Sequence, residues 1–515
     1  MATPEKTEND QAVPDSVIPH GHLPPLRYRD LPEPVPMRRM VGPGIILAGL
    51  ALGSGEFILW PKITFHSGFV FFWACLLGVT TQYFLNMEIT RWSLATGESV
   101  ITGFCRMSRR WAPIFLLLCI VPWMFPGWAK AAAQMLGWLI WGDQFANDGW
   151  AMTGLSIGGL LLCGAILTAG PVVYETVEKI QFVLVGLIII LVIIFAVAVV
   201  RPDAIAAQLN GAMSFGFPKI EPDVNMGVAT LLGAIAFAGV GGALNLGQSN
   251  YVKDKGYGMG QYIGRITSPI TGQEEAVSEI GFHFPPTEEN MSRWKRWWRA
   301  ASIEHFFSFY VTCLICLVLL TLISYSIFYE PNGSLIPKAD RYQEGMDFIR
   351  GEARYLDQEQ VIGPQTRLIF LVMGIALLLT TEFGILDAVS RISTDLVKVN
   401  WLRESRYWSE SRLYYVFLWG LILLGSGVIL LEQAGVPVKA LTLVILSAAL
   451  NGAVMFLYSI LLLVLNFKAL PQTLRASWWR VLILIWSVAF FGIFTVWVGY
   501  EQVYLKVAAF FTAGG

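Results

Sequence analysis

Glu56 stands inside a long apolar run, directly after Gly53-Ser54-Gly55. A carboxylate at that depth in a hydrophobic segment needs a cavity or a partner, because its charge is costly in hydrocarbon. The two glycines beside it weaken the helical ladder and can free backbone carbonyls, which are oxygen ligands in their own right. A second segment repeats the pattern. Ala238-Gly239-Val240-Gly241-Gly242-Ala243-Leu244-Asn245 places three glycines at mid-run, followed by Asn245 and, nearly one turn on, Gln248. Asn245 and Gln248 can face one way together. A cation is the natural occupant of such a set, with Glu56, Asn245, Gln248 and the backbone of Gly53, Ser54 and Gly239 as candidate ligands. Interhelical hydrogen bonding is the alternative role for the two amides, and packing through small residues is the alternative for the glycines.

Five further polar groups lie in apolar runs. Lys130 can neutralise Glu56 when no ion is bound, or pair with another buried acid. Glu382 and Asp387 are candidates for an exit pathway or for coupling, and Glu88 shares that choice with pairing to arginines. Asn451 is either a ligand or an interhelical hydrogen-bonding group. Cys313-x-x-Cys316 has redox or zinc spacing, but without a second pair or a neighbouring histidine it reads as packed helix thiols.

The elements that must position these groups follow from composition. The 515 residues are 55% hydrophobic, 13% aromatic and only 14% charged, far more apolar than a water-soluble core requires. The net charge of -1 leaves no basic field for nucleic acid. Apolar runs near the ~20 residues that cross ~30 Å of hydrocarbon recur along the chain. They predict an all-α polytopic membrane protein with eleven helices near 42–62, 67–89, 112–139, 150–168, 173–200, 226–251, 302–328, 366–389, 413–431, 438–465 and 477–499, called helices 1 to 11 below. Arg27, Arg38, Arg106, Arg110, Arg293, Lys295, Arg391, Lys398 and Arg475 fall on one side if the N-terminus is cytoplasmic, which sets the orientation and puts the C-terminus outside.

Residues 1–40 are polar and proline-rich and read as a disordered cytoplasmic tail. The transporter domain is expected over 41–500, with an inner loop at 252–301 and an outer, solvated loop at 329–365. The interleaved Trp and Arg of 292–299 are expected at the lipid interface. Helices 1 and 6 are separated by five spans, so the two glycine clusters fall at matching places in two halves, about 42–200 and 226–465, with 477–499 as an extra helix. Interrupted segments at corresponding positions point to inverted repeats with the site between them.

At these residues the chain resembles the Nramp family of divalent-metal transporters, as a divergent member. Gly42-Pro43-Gly44 resembles that family's opening of helix 1; Gly53-Ser54-Gly55-Glu56 falls where it carries Asp-Pro-Gly-Asn, and Gly242-Ala243-Leu244-Asn245 where it carries Met-Pro-His-Asn. The resemblance spans about 40–500 and implies an amino-acid/polyamine/cation transporter-like fold with broken helices 1 and 6. It implies a divalent metal cation as substrate and no cofactor. Gly53 and Gly242 lack the family's acidic and thioether ligands, and Leu244 replaces its histidine. The expected site is therefore oxygen-rich, suited to a hard ion such as Mg2+ or Mn2+. Proton coupling is expected to be weak or altered, since the leading acid of helix 1 is absent.

Two other readings keep the same helices: a carrier of amino acids or similar solutes, and a membrane sensor that binds metal without moving it. An enzyme is not expected, because no H-E-x-x-H or G-x-S-x-G pattern is present. Lipid is the expected surrounding, and the oligomeric state stays open.

Overall fold

The structure, a computed structural model, describes residues 11–142, 145, 149–216, 228–267, 280–337, 339–436 and 438–500. The start of the expected helix 6 at 226–227, part of the 252–301 loop and residues 1–10 lie outside them.

The chain is an all-α bundle. Among the described residues, nine helical stretches are long and apolar enough to cross a membrane. Two expected spans fall short of that measure for visible reasons. Helix 2, Phe72–Thr96, carries Gln82, Asn86, Glu88 and Arg91. Helix 6 is cut into Val228–Ala236 and Gly242–Asp254.

That cut is the interruption expected from the glycines. Gly239, Gly241 and Gly242 take φ of 125°, 78° and 58°, a region in which a side chain is strained. Helix 1 reaches a similar end by another route. It runs unbroken over Pro43–Ser67, but Leu52–Leu59 is π-wound. The Gly53 N–H donates to Thr381 Oγ1 at 3.0 Å, and that hydroxyl donates to the Gly49 carbonyl at 3.2 Å. A helix 8 side chain is thus inserted between two backbone groups that an α-helix would join directly. The expected unwinding of helix 1 is corrected accordingly: its glycines serve close approach. A Cβ on Gly55 would lie 1.5 Å from the Phe237 carbonyl oxygen, and one on Gly53 would lie 2.4 Å from that of Leu377.

Helix 3 carries an interruption the sequence reading passed over. Trp111–Ile120 and a short 3-10 turn end before Pro126, and the helix restarts as Gly127–Trp141. Proline at 122 and 126 is the cause.

Two further corrections concern the ends. Residues 11–40 are ordered: Val13, Ile18, Leu23, Leu26, Leu31 and Met40 are buried, and Arg27–Tyr28 pairs as a parallel strand with Phe282–His283. The segment has no core of its own and is ordered by docking on the bundle. Much of the expected inner loop is helical, because helix 7 begins at Glu288 and continues through a π-wound turn, Phe306–Val311, to Phe328. Its Trp residues face protein. Trp294 and Trp297 are buried, and Trp298 lies under Arg91 at 3.9 Å and Arg480 at 5.1 Å. Glu88 takes those same two arginines, at 2.6 Å and 2.5 Å. The outer loop contains a helix, Asp347–Gln358, whose Phe348 and Ile349 are buried, so it packs down as a cap.

Candidate ion site

The site lies where the π-wound part of helix 1 meets the break of helix 6. Glu56 is fully buried, and neither carboxylate oxygen has a hydrogen-bond partner. The Gly239 backbone and the Cys313 thiol of helix 7 lie beside it, without completing a well-directed bond. Ser54 accepts from Trp128 Nε1 at 2.8 Å, and Gly53 is held by Thr381, so both are fixed to neighbouring helices.

The break itself is held by Gln82, on helix 2. Its Nε2 donates to the carbonyls of Ala236 at 2.7 Å and Ala238 at 3.0 Å, while its Oε1 accepts from Gly241 N at 3.1 Å and Asn245 Nδ2 at 3.3 Å. One amide thus replaces the ladder partners that the interruption removes, where no water is at hand to do so. Asn451 of helix 10 performs the complementary task, its Oδ1 accepting from Ala243 N at 3.2 Å at the start of the second half-helix. Asn451 therefore takes the interhelical role of its two alternatives.

Asn245 also donates to Tyr458 Oη at 2.8 Å, which leaves its Oδ1 buried and unpaired. Gln248 approaches His305 Nδ1 at 3.5 Å through Nε2, and its Oε1 is likewise unpaired. Glu56, Asn245 and Gln248 thus share one feature: buried acceptor oxygens without donors. Such groups are costly to leave unmade.

Lys130 does not neutralise Glu56. Its ammonium lies 2.6 Å from Glu432, on the wall of a cavity of about 640 Å³ that Glu344, Asp347 and Lys439 also line. Burial lifts the Asp347 carboxyl above its ordinary range, against the opposing pull of Arg350. Glu382 accepts from Ala129 N at 3.2 Å, at the restart of helix 3. Asp387 is saturated. Arg391 Nε reaches both its oxygens at 2.9 Å, and the hydroxyls of Tyr251 and Tyr414 donate to it at 3.0 Å and 2.7 Å. Arg391 also binds Asp254, and Lys253 lies 3.3 Å from Asp395, so the second half of helix 6 is clamped to helix 8 at the end of the bundle that carries the tail.

Gln82, Thr381, Cys313 and Tyr458 were absent from the sequence-derived site. The signal for Gln82 was available, as an amide in the middle of an apolar helix; Thr381 and Tyr458 look like ordinary helix residues until their partners are known.

No protein-family model matches the chain, and no curated protein matches it in sequence. Solved structures do. A histidine-to-alanine variant of the manganese transporter of Eremococcus coleocola superposes with TM-score 0.65 at 13% identity, covering 94% of each chain. The same transporter in complex with an aromatic bis-isothiourea substituted compound gives TM-score 0.63 at 12% identity, covering 92% of this chain and 89% of that one. A glutamate-to-glutamine variant gives 0.64 at 12%. At such identities the likeness is one of fold, and the Nramp-type fold expected from the paired glycine clusters is borne out.

Proposed function

We propose that this chain is a secondary transporter of a divalent metal cation, of the Mg2+ or Mn2+ kind. Its ligands would be Glu56, Asn245 and Gln248, with the Gly239 backbone at the helix 6 break; Gly53 and Ser54, expected as backbone ligands, stay within the continuous π-wound turn of helix 1 and would line the site rather than bind the ion. One observation carries the reading: four buried side-chain oxygens here lack partners, Glu56 Oε1 and Oε2, Asn245 Oδ1 and Gln248 Oε1, beside one unpartnered ring nitrogen, His305 Nε2. Two of the backbone donors at the break are engaged, Gly241 N by Gln82 and Ala243 N by Asn451. A surplus of lone pairs attracts a cation. A solute carboxylate would instead need free N–H groups at the half-helix start.

The donor set also bears on which cation. Among the described residues, no three His, Cys, Asp or Glu side chains group to hold a metal. One carboxylate with neutral oxygens suits a hard ion that keeps some of its water, and it undercompensates a double charge, so the ion can leave again. The manganese transporter whose fold this chain shares supports a metal as cargo. Access would alternate between the 640 Å³ cavity at one end and the Lys253–Asp395 and Arg391–Asp254 clamp at the other. Glu382 is spent on a backbone N–H and Lys130 on Glu432, so we expect flux without stoichiometric proton movement.

Mn2+ and Mg2+ uptake into proteoliposomes, wild type beside Glu56→Gln, is the test. The variant should lose about tenfold or more of the flux, the factor that ~1.4 kcal/mol of lost stabilisation sets. No flux of either ion ends the metal reading, and flux of an amino acid in its place transfers the site to organic solutes. Metal binding without flux would make the protein a sensor.

A further inference from the structure

The ordered tail crosses the clamped end of the bundle, and its contacts are distributed in a way that packing alone does not require. We propose that residues 13–33 form a strap that holds this end closed and must lift before the end can open. In the part that concerns flux, the proposal rests on the transport reading above.

Besides the strand pair of Arg27–Tyr28 with Phe282–His283, the strap is pinned at three places. On helix 8, His22 Nε2 lies 2.9 Å from Asn400 Oδ1. At the corner between helices 2 and 3, Arg106 donates to the Pro24 carbonyl at 2.9 Å while its guanidinium forks onto Glu98 at 2.7 Å and 2.6 Å. Gly21, at φ of 60°, sits directly on the Arg106 carbonyl, where a Cβ would come within 2.2 Å. On the extension of helix 7, Leu31 N donates to Asn290 Oδ1 at 2.9 Å, Trp297 Nε1 donates to the Pro32 carbonyl at 2.7 Å, and Glu33 takes Arg293 at 3.0 Å and Arg296 at 2.9 Å.

Beneath it lies the clamp. Asp395 of helix 8 receives Lys253 from helix 6, Ser99 and Thr102. Opening this end requires the half-helix Gly242–Asp254 to part from helix 8. The strap ties helix 8 to helix 7 across the same gap, so parting strains its anchors. It is also built to let go. It is proline-rich, has no helix up to Pro36 and only the two-residue strand Arg27–Tyr28, and Glu33 is exposed, so that residue's ion pairs are screened and weak; the buried Leu23, Leu26 and Leu31 are what lifting must uncover. The clamp beneath is buried.

A native thiol reports on the strap. Cys105, in the short helix Val100–Met107, is free and fully buried, and it lies beside the same Asn400 that holds His22. The experiment measures labelling of Cys105 by a membrane-impermeant maleimide on the full-length protein, with Cys105→Ser as blank. His22→Ala removes only the helix 8 pin. Leu31→Asp places a charge in the buried helix 7 pin, and helicity is checked for each variant. Labelling should rise about tenfold or more in both variants, the factor expected when ~1.4 kcal/mol of closure is lost. Mn2+ flux should rise with it. Cys105 remaining protected in folded variants overturns the strap, and so does faster labelling accompanied by reduced flux, because the tail would then be part of the working pathway. A wild type without ion flux sinks the transport reading and leaves Cys105 labelling as the sole judge of the strap.

Discussion

Replacing Gln82 by methionine keeps the length of the side chain and removes every polar atom. Three backbone groups then lose a partner, the carbonyls of Ala236 and Ala238 and the N–H of Gly241, while Asn245 Nδ2 keeps Tyr458. A buried group stripped of its partner costs about 1–3 kcal/mol, and side-chain hydrogen bonds inside membranes average nearer ~0.6 kcal/mol because lost partners are partly replaced. Three groups at ~0.6 to ~1 kcal/mol each give about 2–3 kcal/mol against the interrupted conformation of helix 6. If the ion binds only that conformation, and the wild type holds it with little margin, the apparent Kd rises by up to roughly 30- to 150-fold. Isothermal titration of Mn2+ on purified protein reads this directly, with a thermal midpoint measured in parallel. A Gln82→Met protein that binds Mn2+ with wild-type affinity would refute the reasoning, because the break would then be held by something other than this amide.

Other expectations follow from single contacts. Cys313→Ser should relieve inhibition of Mn2+ flux by Cd2+, since its thiol lies beside Glu56 and is a soft donor, while Mn2+ flux itself changes little; inhibition unchanged by the substitution would remove Cys313 from the site. Lys130→Met should leave Glu432 unpaired on the cavity wall and make Mg2+ compete more strongly at that end, read as a lower Mg2+ concentration for half-inhibition of Mn2+ uptake. Thr381→Val removes the hydroxyl that joins Gly53 and Gly49, and should lower both stability, by about 1 kcal/mol, and flux; a variant with wild-type flux would show that the π-wound turn needs no support from helix 8. In the outer helix Asp347–Gln358, burial pushes the Glu352 carboxyl up to about 8. The folded protein then holds a proton that the unfolded chain has released above about pH 4.5, so docking of this helix is firm below that value and weakens as pH rises toward 8. Protection factors over 347–358, with the intrinsic exchange rate at each pH divided out, should fall across that window, and the fall should disappear in Glu352→Gln.

Much of the architecture was legible because lipid imposes one-dimensional rules. A span must be apolar for about 20 residues, and paired glycine clusters five spans apart mark where two helices can depart from regular winding. Glu56, Asn245 and Gln248 could be picked out for the same reason, as polar groups in runs that otherwise exclude them. The tail was misread because composition reports whether a segment can build its own core, and Leu26 and Leu31 use a surface supplied by helix 7 and the strand at Phe282–His283. Trp297 was misread likewise: an amphipathic indole beside a membrane helix suits the interface, yet its N–H was needed by the Pro32 carbonyl.

By itself, then, the order of residues determined what is local or sums along the chain: an apolar bundle, its spans, and the places where glycine lets the backbone turn. Partnership is not local. Lys130 found Glu432 some 300 positions away, Gln82 of helix 2 found the gap in helix 6, and Thr381 of helix 8 found the π-wound turn of helix 1. Only the packed structure decides which polar group meets which, because in a low-dielectric interior each must be satisfied by whatever the fold brings within about 3 Å. The oxygens of Glu56, Asn245 and Gln248 that packing left unsatisfied are the basis of the ion site proposed above.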